Sequence, residues 1–145
     1  MKVIHKSYKF KIAPNNEQKE LLAKHFGACR FVFNRYLNSR KETYLEEKKS
    51  LNYYDNANDL TVLKNDEQFI WLKEINSQSL QSSLRNLDTA YNKFFRKQTK
   101  FPRFKSKFDR QSFTIPQSVY IEDGKLQIPK FKKGIEINIH REIEG

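Results

Sequence analysis

Cations and phenylalanines alternate through Asn92-Lys93-Phe94-Phe95-Arg96-Lys97-Gln98-Thr99-Lys100-Phe101-Pro102-Arg103-Phe104-Lys105-Ser106-Lys107-Phe108. From Tyr91 to Arg110 there are eight Lys or Arg against a single acid, Asp109, with five Phe and one Tyr between them. Cations neutralise phosphates, while aromatic faces either pack into a core or stack on unpaired bases. Such a segment is either a solvated amphipathic face or a polyanion site. The charge density, its single sign and the stiffening Pro102 favour the polyanion site. Lys93, Arg96, Lys97, Lys100, Arg103, Lys105 and Lys107 are the candidates for contacts to a nucleic-acid backbone. Contacts of that kind position a strand without specifying its sequence.

A second group lies on the segment from residue 77 onward. Leu80, Leu84, Leu87, Tyr91 and Phe94 step by four, three, four and three, the spacing of one helix face. Gln78, Gln81, Ser82 and Arg85 fall on the opposite face. Gln pairs bidentately with adenine and Arg with guanine in a major groove, so this face either reads bases or is simply the wet side of a soluble helix. Tyr53 and Tyr54 either stack on bases or pin their loop to the domain.

Nothing in the sequence makes a catalytic centre. His5, His25 and His140 are far apart and lack metal-ligand spacing. His25 sits beside an apolar stripe and reads as a helix-surface or partly buried residue. Asp55, Asp59, Asp66 and Glu67 cluster only loosely, in a polar loop and short helix where acids are normally solvated. The four glycines form no phosphate-binding loop, and no nucleophile motif is present. No catalytic residue, metal ligand or cofactor is expected.

The bulk numbers agree with a binding role. A chain of 145 residues suits one domain, or one domain carrying an insertion. Its net charge is +11, which favours nucleic acid or an anionic surface as partner. Residues 1–75 hold 14 basic and 10 acidic residues, and residues 76–145 hold 14 and 7, so the excess leans to the second half. No apolar run approaches the roughly 20 residues of a membrane span, and the first residues lack a secretory apolar core. Cys29 is alone and reads as a small buried hydrophobe; a reducing cytoplasm fits.

The elements that must position these groups can be read in order. Alternation over residues 3–12 predicts a half-buried strand ended by Pro14. Asn15 and Gln18 suit a capping box, after which Leu22, Phe26, Cys29, Phe33, Tyr36 and Leu37 repeat with helical spacing. Gly27 is expected to split this into helices at about 16–26 and 28–48, a pair resembling a helix-turn-helix. A polar loop over 50–58 leads to a short helix around Leu60 and Leu63. Phe69, Ile70, Trp71 and Leu72 form a hydrophobic plug, with Trp71 in the core, and Asn76 or Ser77 caps the helix that follows. Beyond Pro102, short β-type runs appear at Ser112–Ile115, Val119–Ile121, Lys125–Ile128 and Ile135–Ile139, with a hairpin at Asp123-Gly124. The expected architecture is α+β: the first strand joins the later antiparallel strands across a helical insertion.

Several of these stretches resemble the OrfB/TnpB-like transposon-encoded proteins. The resemblance is carried by Pro14-Asn-Asn-Glu-Gln18 and by Leu21-Leu22 followed by Phe26-Gly27-Ala28-Cys29-Arg30-Phe31-Val32-Phe33-Asn34. It continues through Trp71-Leu72-Lys73-Glu74-Ile75, Gln81-x-x-Leu84-Arg85-Asn86-Leu87-Asp88-x-Ala90-Tyr91-x-x-Phe94-Phe95 and Phe101-Pro102-Arg103-Phe104-Lys105-Ser106-Lys107. Gln111-Ser112-Phe113 and Leu126-x-Ile128-Pro129-Lys130 complete it, so the likeness runs in order over nearly the whole chain. It implies an RNA-guided DNA endonuclease lineage. Its fold would be a wedge-like, oligonucleotide-binding-type barrel from residues 1–14 and 100–145, closed or left incomplete. About four helices would be inserted at 15–99, with the helix-turn-helix at 15–48. By resemblance, Tyr53 and Gln81 fall at positions used against the duplex beside the transposon. Ser77 and Gln78 lie in the same turn, and Ser77 stands where some relatives have Lys. The implied partners are duplex DNA and structured guide RNA, with no membrane. The RuvC-like catalytic domain of the family is not among these residues, so the chain reads as a nucleic-acid-binding part without catalysis of its own. The alternative is one part of a split or truncated nuclease that associates with a separate RuvC-like domain.

Overall fold

The computed structural model describes residues 5–138. Val3, Ile4, Ile139 and His140, named above in the first and last strands and among the histidines, lie outside the described residues. Strand β1 (Lys11–Ala13) is followed by α1 (Asn16–Glu47), α2 (Tyr53–Leu63), a 3-10 helix (Glu67–Glu74) and α3 (Ser77–Phe95). Three strands close the order: β2 (Tyr120–Glu122), β3 (Lys125–Gln127) and β4 (Ile135–Asn138).

The start of α1 follows its capping chemistry. Asn15 Oδ1 accepts the Gln18 amide at 2.8 Å, and Gln18 Oε1 accepts the Asn15 amide at 2.9 Å. The expected break at Gly27 does not occur: α1 is one helix of 32 residues. A helical glycine costs about 1 kcal/mol relative to Ala. Here that cost is outweighed by a continuous buried stripe, from His25 through Ala28, Cys29, Val32, Phe33, Tyr36 and Leu37 to Arg40.

Residues 50–58 are also not simply a loop. Asn52 Oδ1 accepts the Asp55 amide at 3.0 Å while Asp55 Oδ2 accepts the Asn52 amide at 2.9 Å, so α2 begins at Tyr53. The hydrophobic plug is corrected too. In a 3-10 helix residues three apart eclipse one another, so Phe69 and Leu72 share a side and the residues between them face away. Leu72 is fully buried, but Ile70 is 52% and Trp71 40% exposed.

Helix α3 buries Ser79, Leu80, Ser83, Leu84, Leu87 and Tyr91, the stripe its spacing predicts, with its N-cap at Asn76. Small residues let it approach α1 closely. Ser83 Oγ donates to the Cys29 carbonyl at 2.8 Å, and the Cys29 thiol donates to the Ser79 carbonyl at 3.7 Å. Farther along, Arg40 is buried yet satisfied. Its Nε donates to Asn56 Oδ1 at 2.7 Å and its Nη2 to Asp88 Oδ1 at 2.9 Å, joining α1, α2 and α3.

His25 is fully buried, beyond the helix-surface or partly buried position expected of it. Its Nδ1–H donates to the Leu21 carbonyl at 2.9 Å, and its Nε2 accepts the Asn76 amide at 3.2 Å. An acceptor at one nitrogen and a donor at the other fix the neutral tautomer. Burial lowers its pKa below 6.5.

The strands form an antiparallel sheet of order β1-β4-β3-β2, not closed into a barrel. Lys11 pairs with Asn138 and Ala13 with Glu136, so the first strand does join the last across the helical insertion. Among the described residues of the expected strand, 5–10 are irregular, and the three residues of β1 are exposed instead of half-buried. Asp123 and Gly124, with φ of 52° and 72°, make the two-residue hairpin turn between β2 and β3. Gly134 has φ 61°, and a Cβ there would lie 2.5 Å from Gln127 Nε2. Its carbonyl accepts Gln18 Nε2 at 2.6 Å, tying the start of α1 to the sheet. Ile128, Phe131 and Ile135 form a second apolar cluster against Leu21 and Leu22. Ser112–Ile115 is not a strand. Phe113 instead turns in against His25 and Phe26, both ring pairs at 5.2 Å, and Ile115 joins the second cluster.

Two outcomes follow for stability. A Cβ at Gly27 would meet only Arg30 Nη2, at an ordinary 3.8 Å. Gly27→Ala is therefore expected to raise stability by about 0.5–1 kcal/mol, read as a higher denaturation midpoint at unchanged slope. The second concerns His25. With its folded pKa below the unfolded 6.5, the unfolded chain takes up the extra proton as pH falls. The contribution is thus complete above about pH 6.5 and is lost below it. Thermal melts from pH 7.5 to 5 should show the wild type losing stability more steeply than His25→Gln; parallel curves would remove His25 as the cause.

Candidate nucleic-acid interface

The outer face of α3 presents its polar residues unequally. Ser77, Gln81 and Arg85 are exposed, while Gln78 and Ser82 are half-buried. Gln78 Nε2 donates to Gln117 Oε1 at 3.0 Å, so its donor end is engaged by the irregular segment that follows α3. Gln78 Oε1 is shielded and has no partner among the described residues. The Arg85 guanidinium lies 4.2 Å from the centre of the Tyr53 ring. A cation over an aromatic face is an electrostatic contact that also holds the guanidinium in place. Tyr53 is half-buried against the main core and edge-on to Tyr54, with ring centres 5.3 Å apart. Tyr53 therefore pins the start of α2, and Tyr54, 70% exposed, does not.

The cationic tract begins where α3 ends. Lys93 is in the last turn, Arg96 is the C-cap, and Lys97 takes the left-handed conformation at φ 60°. The Lys97 amide returns to the Phe94 carbonyl and the Gln98 amide to the Lys93 carbonyl, both at 2.9 Å, which reverses the chain. Lys100, Arg103, Lys105 and Lys107 follow on residues 99–119, which form no strand or helix. All seven cations are exposed, and among the described residues none is in an ion pair.

The phenylalanines between them divide into two sets. Phe101 packs back on the end of α3, edge-on to Tyr91 at 5.4 Å and to Phe94 at 5.2 Å. Phe104 and Phe108 remain 49% and 86% exposed. The tract is held by side chains rather than by a β ladder. Asn34 clamps Lys105 at both ends of its backbone, donating to the carbonyl at 2.9 Å and accepting the amide at 2.7 Å. Lys105 Nζ lies 4.5 Å from the centre of the Phe33 ring, so this lysine is less free than its neighbours. Arg30 reaches Gln111 Oε1 at 3.5 Å. Together these contacts leave a cleft between the segment and the α1–α3 pair, with Arg30, Ser82, Asn86, Lys105 and Arg110 on its walls.

Asn34 had no signal in the sequence. It is one polar residue on a long helix, and its partner lies 71 positions away. The acids have ordinary structural duties. Asp55 and Asp66 cap helices, and Asp59 Oδ2 accepts the Tyr36 hydroxyl at 2.7 Å. Among the described residues no group of three or more His, Cys, Asp or Glu could hold a metal ion. Cys29 is buried, as expected, and burial pushes its thiol up to about 11. No helix among the described residues is long and apolar enough to cross a membrane.

The profile of the OrfB, IS605-type helix-turn-helix domain matches residues 1–49, the stretch that holds β1 and the whole of α1. The chain is 39% identical over 126 residues to "Putative RNA-guided DNA endonuclease InsQ" of Escherichia coli (strain K12), covering 86% of this chain and 31% of that protein. It is 32% identical over 143 residues to a "Putative RNA-guided DNA endonuclease" of Streptomyces pristinaespiralis, covering 97% of this chain and 36% of that protein. A third relative, "Virulence protein VsdF" of Salmonella dublin, is 34% identical over 105 residues, 66% of this chain and 88% of that protein. The chain thus spans about a third of the length of the two endonuclease-named relatives and most of the length of the third. Shared sequence over nearly its full length, together with the domain profile at its start, places it: the chain belongs to the OrfB/TnpB-like family of transposon-encoded proteins.

Proposed function

We propose that this chain is a nucleic-acid-binding module that contacts duplex DNA beside a transposon, structured guide RNA, or both, and carries out no chemistry of its own. The observation that carries this reading is the run of seven exposed cations at 93–107 without ion-pair partners among the described residues, leading directly off the helix that bears Gln81. In a protein of net charge +11 such a run is a site for phosphates. Lys93, Arg96, Lys97, Lys100, Arg103, Lys105 and Lys107 take the backbone. Gln81 meets base edges, with Ser77 and Gln78 in the same turn and Arg85 held ready by Tyr53. The helical part, 15–99, presents the reading face, and the β-rich part, 1–14 with 100–145, carries most of the cationic tract. A cytoplasmic location suits its free buried thiol.

A second reading is favoured by the names of two relatives, both called RNA-guided DNA endonucleases and both about three times as long as the matched region. In that reading the chain supplies the binding part of a nuclease whose RuvC-like domain is separate. The sheet has unpaired edges at β1 and β2 among the described residues, where further strands can add. Magnesium-dependent cutting on mixing with a RuvC-like domain would establish it.

The test of the first reading is a competition titration at two salt concentrations with folded RNA hairpins, random duplex and single strands. Binding should weaken by roughly 0.9 log unit per log unit of salt for each phosphate neutralised on duplex. Lys100→Ala is expected to weaken all duplexes alike and lower that slope by about one. Gln81→Ala should change the preference among duplex sequences. Equal loss on every duplex for Gln81→Ala would remove its base-reading role, and equal affinities collapsing together with salt would reduce the site to charge alone.

A further inference from the structure

The side of α1 facing away from α3 carries an arrangement the cationic tract does not explain. Phe31 stands between two residues of the 3-10 helix, with its ring centre 5.6 Å from Phe69 and 5.5 Å from Trp71. Arg35 extends the row, its guanidinium 4.9 Å from the centre of Phe69. Phe31 and Phe69 are half-buried against the main core, whereas Trp71 at the end of the row is 40% exposed. Gly27 lies beside them, at the junction of two shallow grooves. One groove is bounded by Trp71 and the other by Phe31, Arg30 and Arg35.

Gly27 is the second observation. It has helical geometry and needs no left-handed conformation, and a side chain there would touch only the end of Arg30 at 3.8 Å. Nothing within the described fold requires a glycine at that point, and an alanine would strengthen the helix. What glycine provides is open space beside an exposed indole, where the two grooves meet. Arg30 and Arg35 flank that floor, and among the described residues neither is in an ion pair. On the far side Lys24 is paired with Glu74 at 3.5 Å, which leaves the positive potential at the Arg end.

We propose that Trp71, Phe31 and the Gly27 floor form a stacking platform for unpaired nucleotides, with Arg30 and Arg35 on their phosphates. Aromatic faces beside cations are how single strands are held without regard to sequence. The proposal rests on the nucleic-acid reading above but names a different form of ligand and an adjoining surface, which shares Arg30 with the cleft beside the cationic tract. The cationic tract takes backbone phosphates of any strand, whereas this platform requires bases free of their partners.

The chain's single tryptophan makes the site directly observable. Oligo(U) and oligo(dT) of about ten nucleotides, the scale of one single-strand site, are titrated while Trp71 emission and the anisotropy of a labelled oligonucleotide are followed. Emission is expected to fall in step with binding of single strands and to stay unchanged with blunt duplex. Trp71→Ala and Phe31→Ala should each weaken single-strand binding roughly tenfold and leave duplex affinity intact. Gly27→Ala, which strengthens the helix, should also weaken single strands, so a loss there is not a folding defect.

Single strands that bind by anisotropy without moving Trp71 emission would overturn the platform and leave the cationic tract standing. Failure of both duplex and single strands to bind would overturn both readings. Emission that changes with protein concentration alone would assign the patch to self-association and overturn the proposal in favour of a second copy.

Discussion

The neutral imidazole of His25 is the contact on which the arrangement of this molecule depends. Four parts of the chain meet at it: the Leu21 turn of α1, the Asn76 amide that opens α3, Phe113 from the irregular segment, and Phe131 between β3 and β4. Its ring can serve all four only while uncharged. The Asn76 amide can only donate, so Nε2 must keep its lone pair and the proton must sit on Nδ1. Protonation would turn that acceptor into a donor facing another donor in a buried site. Asn76 has no side-chain cap bond to the helix it begins, so the imidazole takes part of the work of fixing that end. Arg40 of α1 performs the matching task farther along α3, where it binds Asp88 and is itself braced by Asn56 of α2. Held at both points, α3 can present Ser77, Gln81 and Arg85 at a defined angle.

The charge distribution follows from where the acids are needed. Asp55 and Asp66 are engaged at helix starts, Asp59 by Tyr36, Asp88 by Arg40, and Asp109 by the Ser106 amide. Four of these five belong to the helical part, and the fifth serves a backbone amide instead of a cation. The tract from Lys93 to Lys107 is therefore left without counter-charges by the same contacts that build the helices. No acid lies between Lys93 and Lys107, so the tract's cations add without a neighbouring counter-charge of their own.

What was legible in the sequence was whatever is encoded locally. The α3 stripe, the Asn15–Gln18 capping box and the Asp123-Gly124 turn depend on spacing or turn chemistry, and the joining of the first strand to the last followed from the order of the elements. The misreadings share a different origin. Gly27 has the propensity of a helix breaker, but the buried stripe of α1 is continuous across it, and tertiary packing outweighs one residue. Trp71 sits in an apolar run that would be core in an α-helix; the three-residue period of a 3-10 helix turns it outward. Ser112–Ile115 alternates like a strand, yet Phe113 turns in to pack on His25 and Phe26, partners the local pattern does not reveal. His25 sits beside the apolar stripe of α1, but its partner amide and two of the rings against it come from distant segments. The clamp of Asn34 on Lys105 could not be inferred from either residue alone.

That clamp bears on how the candidate interface works. Residues 99–119 lack the regular backbone pairing that usually fixes a chain segment. Side chains from the two long helices hold them instead: Asn34 and Arg30 on α1, Gln78 on α3, and the pocket that receives Phe113. The segment's position is consequently set by the α1–α3 crossing, and so is the face that bears Gln81. A side-chain-held segment gives up ladder bonds but gains register with the α1–α3 pair. Cations placed that way stand at a fixed offset from the polar face of α3. In the proposed reading, such a fixed offset would let phosphate contacts bring base edges to the polar face of α3. Because Gln78 is held by Gln117, this coupling also divides the face, leaving Gln81 free while Gln78 keeps the segment in place.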